Sequence, residues 1–234
     1  DFPEAVSALV VMDGVSIYET LERANWQFAK DWWHWFFFAQ SDKAEAAILA
    51  DPDLWYPCGR TVLGPENAAD YLAATRNPEV VRGMLADYRA GLEIDYEMDK
   101  ADRLAGCKVQ CPVAVFWSAH DDMERLYGDP TEPWTAWTKR PVSGHRIMSG
   151  HHMSEEAPDE VADTLLLFLR GRLPWACPLP RFAPSRTTES SAHAHTVNAR
   201  LFTAAPGRRT GGALAYVGAL VIIASGTYLI LLDN

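Results

Sequence analysis

A chain of 234 residues, 48% hydrophobic and 22% charged, is long enough to bury one substantial core and is ordinary for a globular protein. Its formal net charge of −10, with no cluster of Lys and Arg, argues against a nucleic-acid partner, because phosphate binding needs a basic face. Cys58, Cys107, Cys111 and Cys177 match neither a zinc spacing nor a disulfide framework, so they read as ordinary thiols of a reducing compartment. Neither a metal nor a cofactor is called for. The chain opens on Asp1 with no charged segment and apolar run behind it, so no signal peptide is expected and the chain reads as starting inside a longer protein.

In chain order, Ala8–Met12 (ALVVM) is a continuous apolar run ending at Asp13-Gly14. Without polar alternation, it reads as a strand buried on both faces of a parallel sheet. Ile17–Gln40 is aromatic, amphipathic and helical in pattern, with Trp26, Trp32, Trp33 and Trp35 suggesting an aromatic pocket or a dense cap. Asn77-Pro78-Glu79 is a helix start, with Asn as cap and Pro at the first helical position, and that helix runs to about Tyr88. Val113–Trp117 (VAVFW) repeats the buried-strand pattern and ends in polar residues from Ser118 to Asp122. Two parallel-type strands separated by about a hundred helical residues describe a sheet carrying an inserted lid.

A weaker strand is expected within Lys139–Ile147, followed by the turn Ser149-Gly150-His151-His152. Val161–Arg170 then forms an amphipathic covering helix, preceded by Pro158 and closed by Gly171. Residues 176–210 turn to Pro, Ser, Thr, Ala and Arg without apolar period, the composition of a disordered linker. Residues 211–232 carry no charge over 22 positions. As a helix this stretch would span a hydrocarbon core of about 30 Å. Arg208 and Arg209 before it predict a tail anchor with the globular part on the cytoplasmic face; otherwise the protein is expected to be cytoplasmic.

The polar residues that end these strands are the candidates for chemistry. Sites in open parallel sheets form at the carboxyl ends of strands, which places Asp13, Asp121 and Asp122 there. His151 sits in a Gly-His turn just before the last helix. A carboxylate and a late His make an acid–His pair, in which the acid orients the imidazole and stabilises its protonated form.

The same residues carry a resemblance. Asp1-Phe2-Pro3-Glu4-Ala5-Val6 leading into ALVVMD, the Trp33-His34-Trp35-Phe36-Phe37 run, Asp87-Tyr88-Arg89-Ala90-Gly91, the Asp121-Asp122-Met123 segment with Tyr127-Gly128-Asp129-Pro130 and Trp134, and Ser149-Gly150-His151-His152-Met153 with Glu155-Glu156-Ala157-Pro158 stand in the order of one family. Over about residues 1–174 the chain resembles the C-terminal part of an α/β-hydrolase of the haloacetate (fluoroacetate) dehalogenase kind, with epoxide hydrolases as close kin.

The resemblance implies an α/β fold: a core sheet segment at 1–16, a helical cap at 17–104 and the C-terminal core at 105–175, followed by the linker at 176–210 and the candidate transmembrane helix at 211–232. It implies His151 as the base that activates water, with Asp13 as its acid partner and Asp121 or Asp122 as the alternative. It implies His34, Trp35 and Tyr88 as a halide pocket, no cofactor, a small haloacid or epoxide as substrate, and a homodimer. Imidazole N–H, indole N–H and phenol O–H are neutral donors, suited to charge that develops on a departing halide. In place of the family's Pro-containing turn after the acid stands Gly14-Val15-Ser16. No Gly-x-Asp-x-Gly or Gly-x-Ser-x-Gly occurs in the 234 residues, so the nucleophilic aspartate of that family is expected upstream of them. The competing reading is a catalytically inactive or membrane-tethered remnant.

Overall fold

The computed structural model describes residues 5–55, 63–171, 219–224 and 227–232. Strand β1 (Ala8–Met12) lies parallel to β2 (Val113–Ser118), which lies parallel to β3 (Ser143–Ile147). All six residues of β2 are buried, as a strand covered on both faces must be. Alternation divides the side chains between the two sides of the sheet. Val10, Met12, Ala114, Phe116 and Ile147 pack with Met153, Val161 and Phe168 of the C-terminal helices. Leu9, Val11, Val113, Val115 and Trp117 pack with Met123 and Val142. The covering helix α12 runs Pro158–Leu169, with Gly171 in the left-handed conformation just beyond it.

Between β1 and β2 the chain forms a helical excursion. The single helical pattern over Ile17–Gln40 is three short helices in the structure: α1 (Ile17–Glu22), α2 (Trp26–Asp31) and α3 (Trp33–Phe38). The reason is local: Asn25 turns its side chain back to the N–H groups of Gln27 and Phe28, at 2.8 and 3.1 Å, and so starts a new helix inside the apolar pattern. Helices α4 (Ser41–Ala50), α5 (Pro52–Trp55), α6 (Pro65–Thr75) and α7 (Pro78–Ala90) follow. Asn77 caps α7 as expected, accepting from Glu79 N–H at 3.0 Å. A π turn at Gly91–Asp95 carries the backbone into α8 (Tyr96–Ala105), which returns it to the sheet. Phe38, Ala44, Ile48, Val81 and Leu85 give this layer a core of its own. Short helices α9 (Met123–Tyr127), α10 (Glu132–Thr135) and α11 (Met153–Glu156) complete the connections after β2 and β3.

The C-terminal stretch corrects the sequence reading. Where 211–232 was expected to form a membrane-spanning helix, its described parts are two strands, β4 (Ala219–Ala224) and β5 (Thr227–Leu232). They pair antiparallel with each other, and β5 pairs antiparallel with β1, which gives the sheet order β3-β2-β1-β5-β4. Val221, Ile222, Ile223 and Ile230 are β-branched, a type that favours extended backbone, and β1 offers an edge of unpaired backbone groups to pair with. Among the described residues no helix is long and apolar enough to cross a membrane, so the tail anchor expected at 211–232 has no spanning helix to rest on. The linker expected over 176–210 lies outside the described residues.

Candidate active site

The ends of β1 and β2 and the loop after β3 converge because the register sets them side by side: Met12 pairs with Phe116, and Ser118 with Ile147. Asp13 follows β1 at φ 47°, the one non-glycine residue with positive φ among the described residues. Aspartate tolerates that conformation better than most side chains, and such positions concentrate at sites where geometry is forced. The bend turns its carboxylate back onto β2. There Oδ1 accepts the Ser118 N–H at 2.8 Å and Oδ2 lies within hydrogen-bonding distance of the Ser118 hydroxyl.

His151 is held from three directions. Gly150 N–H donates to Glu156 Oε2 at 2.7 Å and His152 N–H to Glu156 Oε1 at 3.3 Å, so one carboxylate gathers the turn. A Cβ at Gly150 would sit 2.9 Å from a Glu156 oxygen, so a side chain there would displace the carboxylate that gathers the turn. The Ser118 hydroxyl lies 2.6 Å from the Gly150 carbonyl oxygen. His151 Nδ1 lies 2.8 Å from Asp121 Oδ2. A carboxylate oxygen accepts, so Nδ1 carries the hydrogen and Nε2 is left to accept a proton from water. The bond to Asp121 raises the His151 pKa against the opposing effect of burial, and the same bond lowers that of Asp121.

The three candidate carboxylates therefore stand in different places. Asp121 bonds the imidazole. Asp13, 6% exposed, lies close by: one oxygen from each of these carboxylates and one ring nitrogen of His151 are all within 4.8 Å of one another. Asp122 faces the helices between β1 and β2, accepting from Trp32 Nε1 at 2.6 Å, and pairs with Arg125 at 3.1 Å, while its Oδ1 is buried and unpartnered. Three close ligand atoms could in principle meet a cation. Here, however, both Asp13 oxygens are engaged by Ser118 and the imidazole Nδ1 by Asp121, so the arrangement is that of a hydrogen-bonded acid–His site.

Above it lies a partly open pocket, lined among others by Asp13, Val15, Phe28, Trp35, Leu126 and Tyr127. Trp35 is 5% exposed and its indole N–H has no partner, an omission that leaves a buried donor costing about 1–3 kcal/mol until something accepts from it. The rings of His34 and Tyr88 lie 6.1 Å apart, and Tyr88 is 6.3 Å from Trp35. Burial, reinforced by the nearby His151, lowers the His34 pKa, and burial pushes Tyr88 up to about 12, so all three remain neutral donors near pH 7. The sequence reading gave Ser118 and Glu156 no role, and only their positions next to a strand end and to His151 could have signalled them; Trp32, one of the tryptophans expected to form an aromatic pocket or cap, lines the pocket.

No family model matches the chain. Over 181 residues it is 33% identical to a fluoroacetate dehalogenase from a Burkholderia species, an alignment covering 72% of this chain and 57% of that protein. A solved structure from Pseudomonas aeruginosa, named as a candidate epoxide hydrolase, matches with TM-score 0.64 at 36% identity, covering 73% of this chain and 59% of that one. The chain belongs to the α/β-hydrolase superfamily. A candidate α/β-hydrolase from Nostoc sp PCC 7120 matches with TM-score 0.66 at 29% identity over 71% of this chain and 59% of its own. The chain thus spans less than two thirds of the length of these hydrolases.

Burial pushes the Asp13 carboxyl of this hydrolase lobe up to about 6 from the 3.8 of an exposed aspartate, outweighing the two bonds from Ser118. A folded state that holds a proton more tightly than the unfolded chain loses stability as pH rises through the window between those values, here from about 4 to about 6. The change on this account is up to about 3 kcal/mol. His151, also raised, loses its contribution in a higher window, above 6.5. Urea unfolding at pH 4.5 and pH 7.5 should show Asp13→Asn gaining on the native protein at the higher pH. Parallel pH profiles for the two would contradict the assignment.

Proposed function

We propose that this chain supplies the lid, the acid–His pair and the leaving-group pocket of a cofactor-free hydrolase that cleaves the carbon–halogen bond of a small haloacid. The observation that carries this reading is the buried Trp35 N–H left without a partner beside His34 and Tyr88, at the wall of the pocket that Asp13 also lines. A departing halide would be the missing acceptor. Neutral donors stabilise the anion more than the uncharged carbon–halogen group, so they act on the transition state.

In this reading residues 1–16 and 105–175 form the core and 17–104 the cap. A nucleophilic aspartate, which these 234 residues do not provide on an elbow motif, attacks the halogen-bearing carbon and forms an ester. His151 then takes a proton from water, its imidazolium stabilised by Asp121, and the resulting hydroxide opens the ester. Asp13 is the second carboxylate at the imidazole. Epoxide opening is the alternative, favoured by the similarity to the Pseudomonas protein and by Tyr88, whose raised pKa keeps its O–H available to donate to an epoxide oxygen.

Two measurements test this. The complete open reading frame containing this chain should release fluoride from fluoroacetate; turnover of an epoxide such as styrene oxide without fluoride release would replace the first reading with the second. Independently of turnover, chloride should broaden its own NMR line on binding the 234-residue chain. Trp35→Phe should weaken that binding about 10-fold or more, the loss of one hydrogen bond to a charged acceptor. Equal chloride binding by the variant would remove Trp35 from the pocket.

A further inference from the structure

Ser118 closes β2 with a side chain that has one hydrogen and two oxygen neighbours. It is 1% exposed, and its Oγ lies within hydrogen-bonding distance of Asp13 Oδ2 and 2.6 Å from the Gly150 carbonyl oxygen. The Ser118 N–H fills the other Asp13 oxygen at 2.8 Å. A carbonyl oxygen only accepts, and so does an ionised carboxylate. With Asp13 ionised, the single hydroxyl hydrogen serves one contact and leaves the other as two buried oxygens with no hydrogen between them. With a proton on Asp13 Oδ2 both contacts are satisfied: Asp13 donates to Ser118 and Ser118 donates to Gly150.

We infer that Asp13 in its protonated form shares its proton with Ser118, and that in this form the pair latches the loop carrying His151 to the sheet while Asp121 orients the imidazole. Asp13 and Ser118 are then positioning residues, distinct in role from Asp121 although all lie within one site. Burial of Asp13 acts in the same direction, holding its proton up to about 6. Two carboxylates whose surroundings push them apart in this way take different protonation states and different work. When Asp13 loses its proton, the Ser118 hydroxyl turns to the carboxylate, the Gly150 carbonyl loses its donor, and a second negative charge faces the imidazole. The other titratable groups facing His151 are Asp121 and Asp122 from the loop after β2, His34 from the cap and His152 from its own turn.

The catalytic consequence rests on the base role given to His151 above, but the latch itself is tested without turnover. The His151 ring is titrated by NMR in the 234-residue chain and in Asp121→Asn, Asp13→Asn and Ser118→Ala, with amide exchange read at Gly150 and His152. Asp121→Asn should lower the His151 midpoint by about one unit or more, because it removes the bond that raises it. Asp13→Asn should lower the midpoint by less than Asp121→Asn does, since Asp13 acts on the imidazole through its charge and not through a bond; it should also remove the second inflection that Asp13 imposes and keep the loop protected, since an amide N–H still donates to Ser118. Ser118→Ala should speed exchange in the loop. An infrared difference between native protein and Asp13→Asn at pH 5.5 should contain the carbonyl stretch of a protonated carboxyl. A large fall in the His151 midpoint in Asp13→Asn with none in Asp121→Asn would overturn the inference, as would the absence of that stretch. Failure of the complete protein to release halide would instead count against the proposed function and leave the latch to the titrations.

Discussion

Glu19→Ala is expected to destabilise the fold by about 2–4 kcal/mol, the range for exposing a buried polar network to the loss of its shared acceptor. Glu19 is 7% exposed on α1, the first helix after β1. Its Oε1 accepts from Trp137 Nε1 at 3.1 Å and from Arg103 Nε at 3.3 Å, and its Oε2 from Arg23 Nε at 3.1 Å. Arg103 stands on α8, by which the chain returns to β2, and Trp137 lies between α10 and β3, so one carboxylate joins both ends of the helical excursion to the connection between β2 and β3. Removing it strands the Trp137 N–H, which is buried. The two arginines, with side chains about 40% exposed, recover water and soften the loss. Glu19→Gln, which keeps a neutral acceptor, should lose about half as much. Urea unfolding of the three proteins decides the matter: a shift within about 0.5 kcal/mol for the alanine variant is what ordinary surface positions show and would mean that Glu19 fastens nothing.

The parts of this architecture legible in the sequence are those where one local rule acts alone. ALVVM and VAVFW have no polar alternation, and each is buried on both faces. Asn77 before Pro78 has the cap it promises. The Gly-His turn precedes the last helices and carries His151 to the strand ends. Legibility fails where two rules compete or where the partner is remote. Asn25 interrupts an amphipathic pattern that otherwise reads as continuous helix. Twenty-two uncharged residues carry no period that separates helix from strand, so 211–232 could be assigned only by length, whereas pairing with β1 is a long-range fact. The choice among Asp13, Asp121 and Asp122 has the same character. All three follow buried strands, and only the Met12–Phe116 register, with the loop position of His151, determines which oxygen meets the imidazole. Ser118 is invisible for a further reason: a lone serine after a strand has no signature until the carbonyl of Gly150 is seen beside it.

His151→Gln in the complete protein is expected to reduce steady halide release by about 10³-fold or more, in the upper part of what a positioned general base contributes. The argument lies in what the imidazole alone can do here. Its Nδ1 is committed to Asp121 at 2.8 Å, so its Nε2 is the basic atom, and the pairing raises its pKa so that it holds the proton taken from water. Glutamine keeps volume and hydrogen bonding but cannot be protonated in this range, so the loop stays closed while the water is no longer activated. The first step, attack on the halogen-bearing carbon, uses no imidazole in this scheme. Rapid mixing should therefore show a burst of about one equivalent of halide per site and then near arrest, with mass spectrometry finding the ester on the protein. Since the native imidazole must be unprotonated to act, native turnover falls as pH drops through its raised pKa, and the residual rate of the glutamine variant should lack that acid limb. A variant that keeps turning over at the native rate, or that loses the burst along with the turnover, would take His151 out of the hydrolytic step.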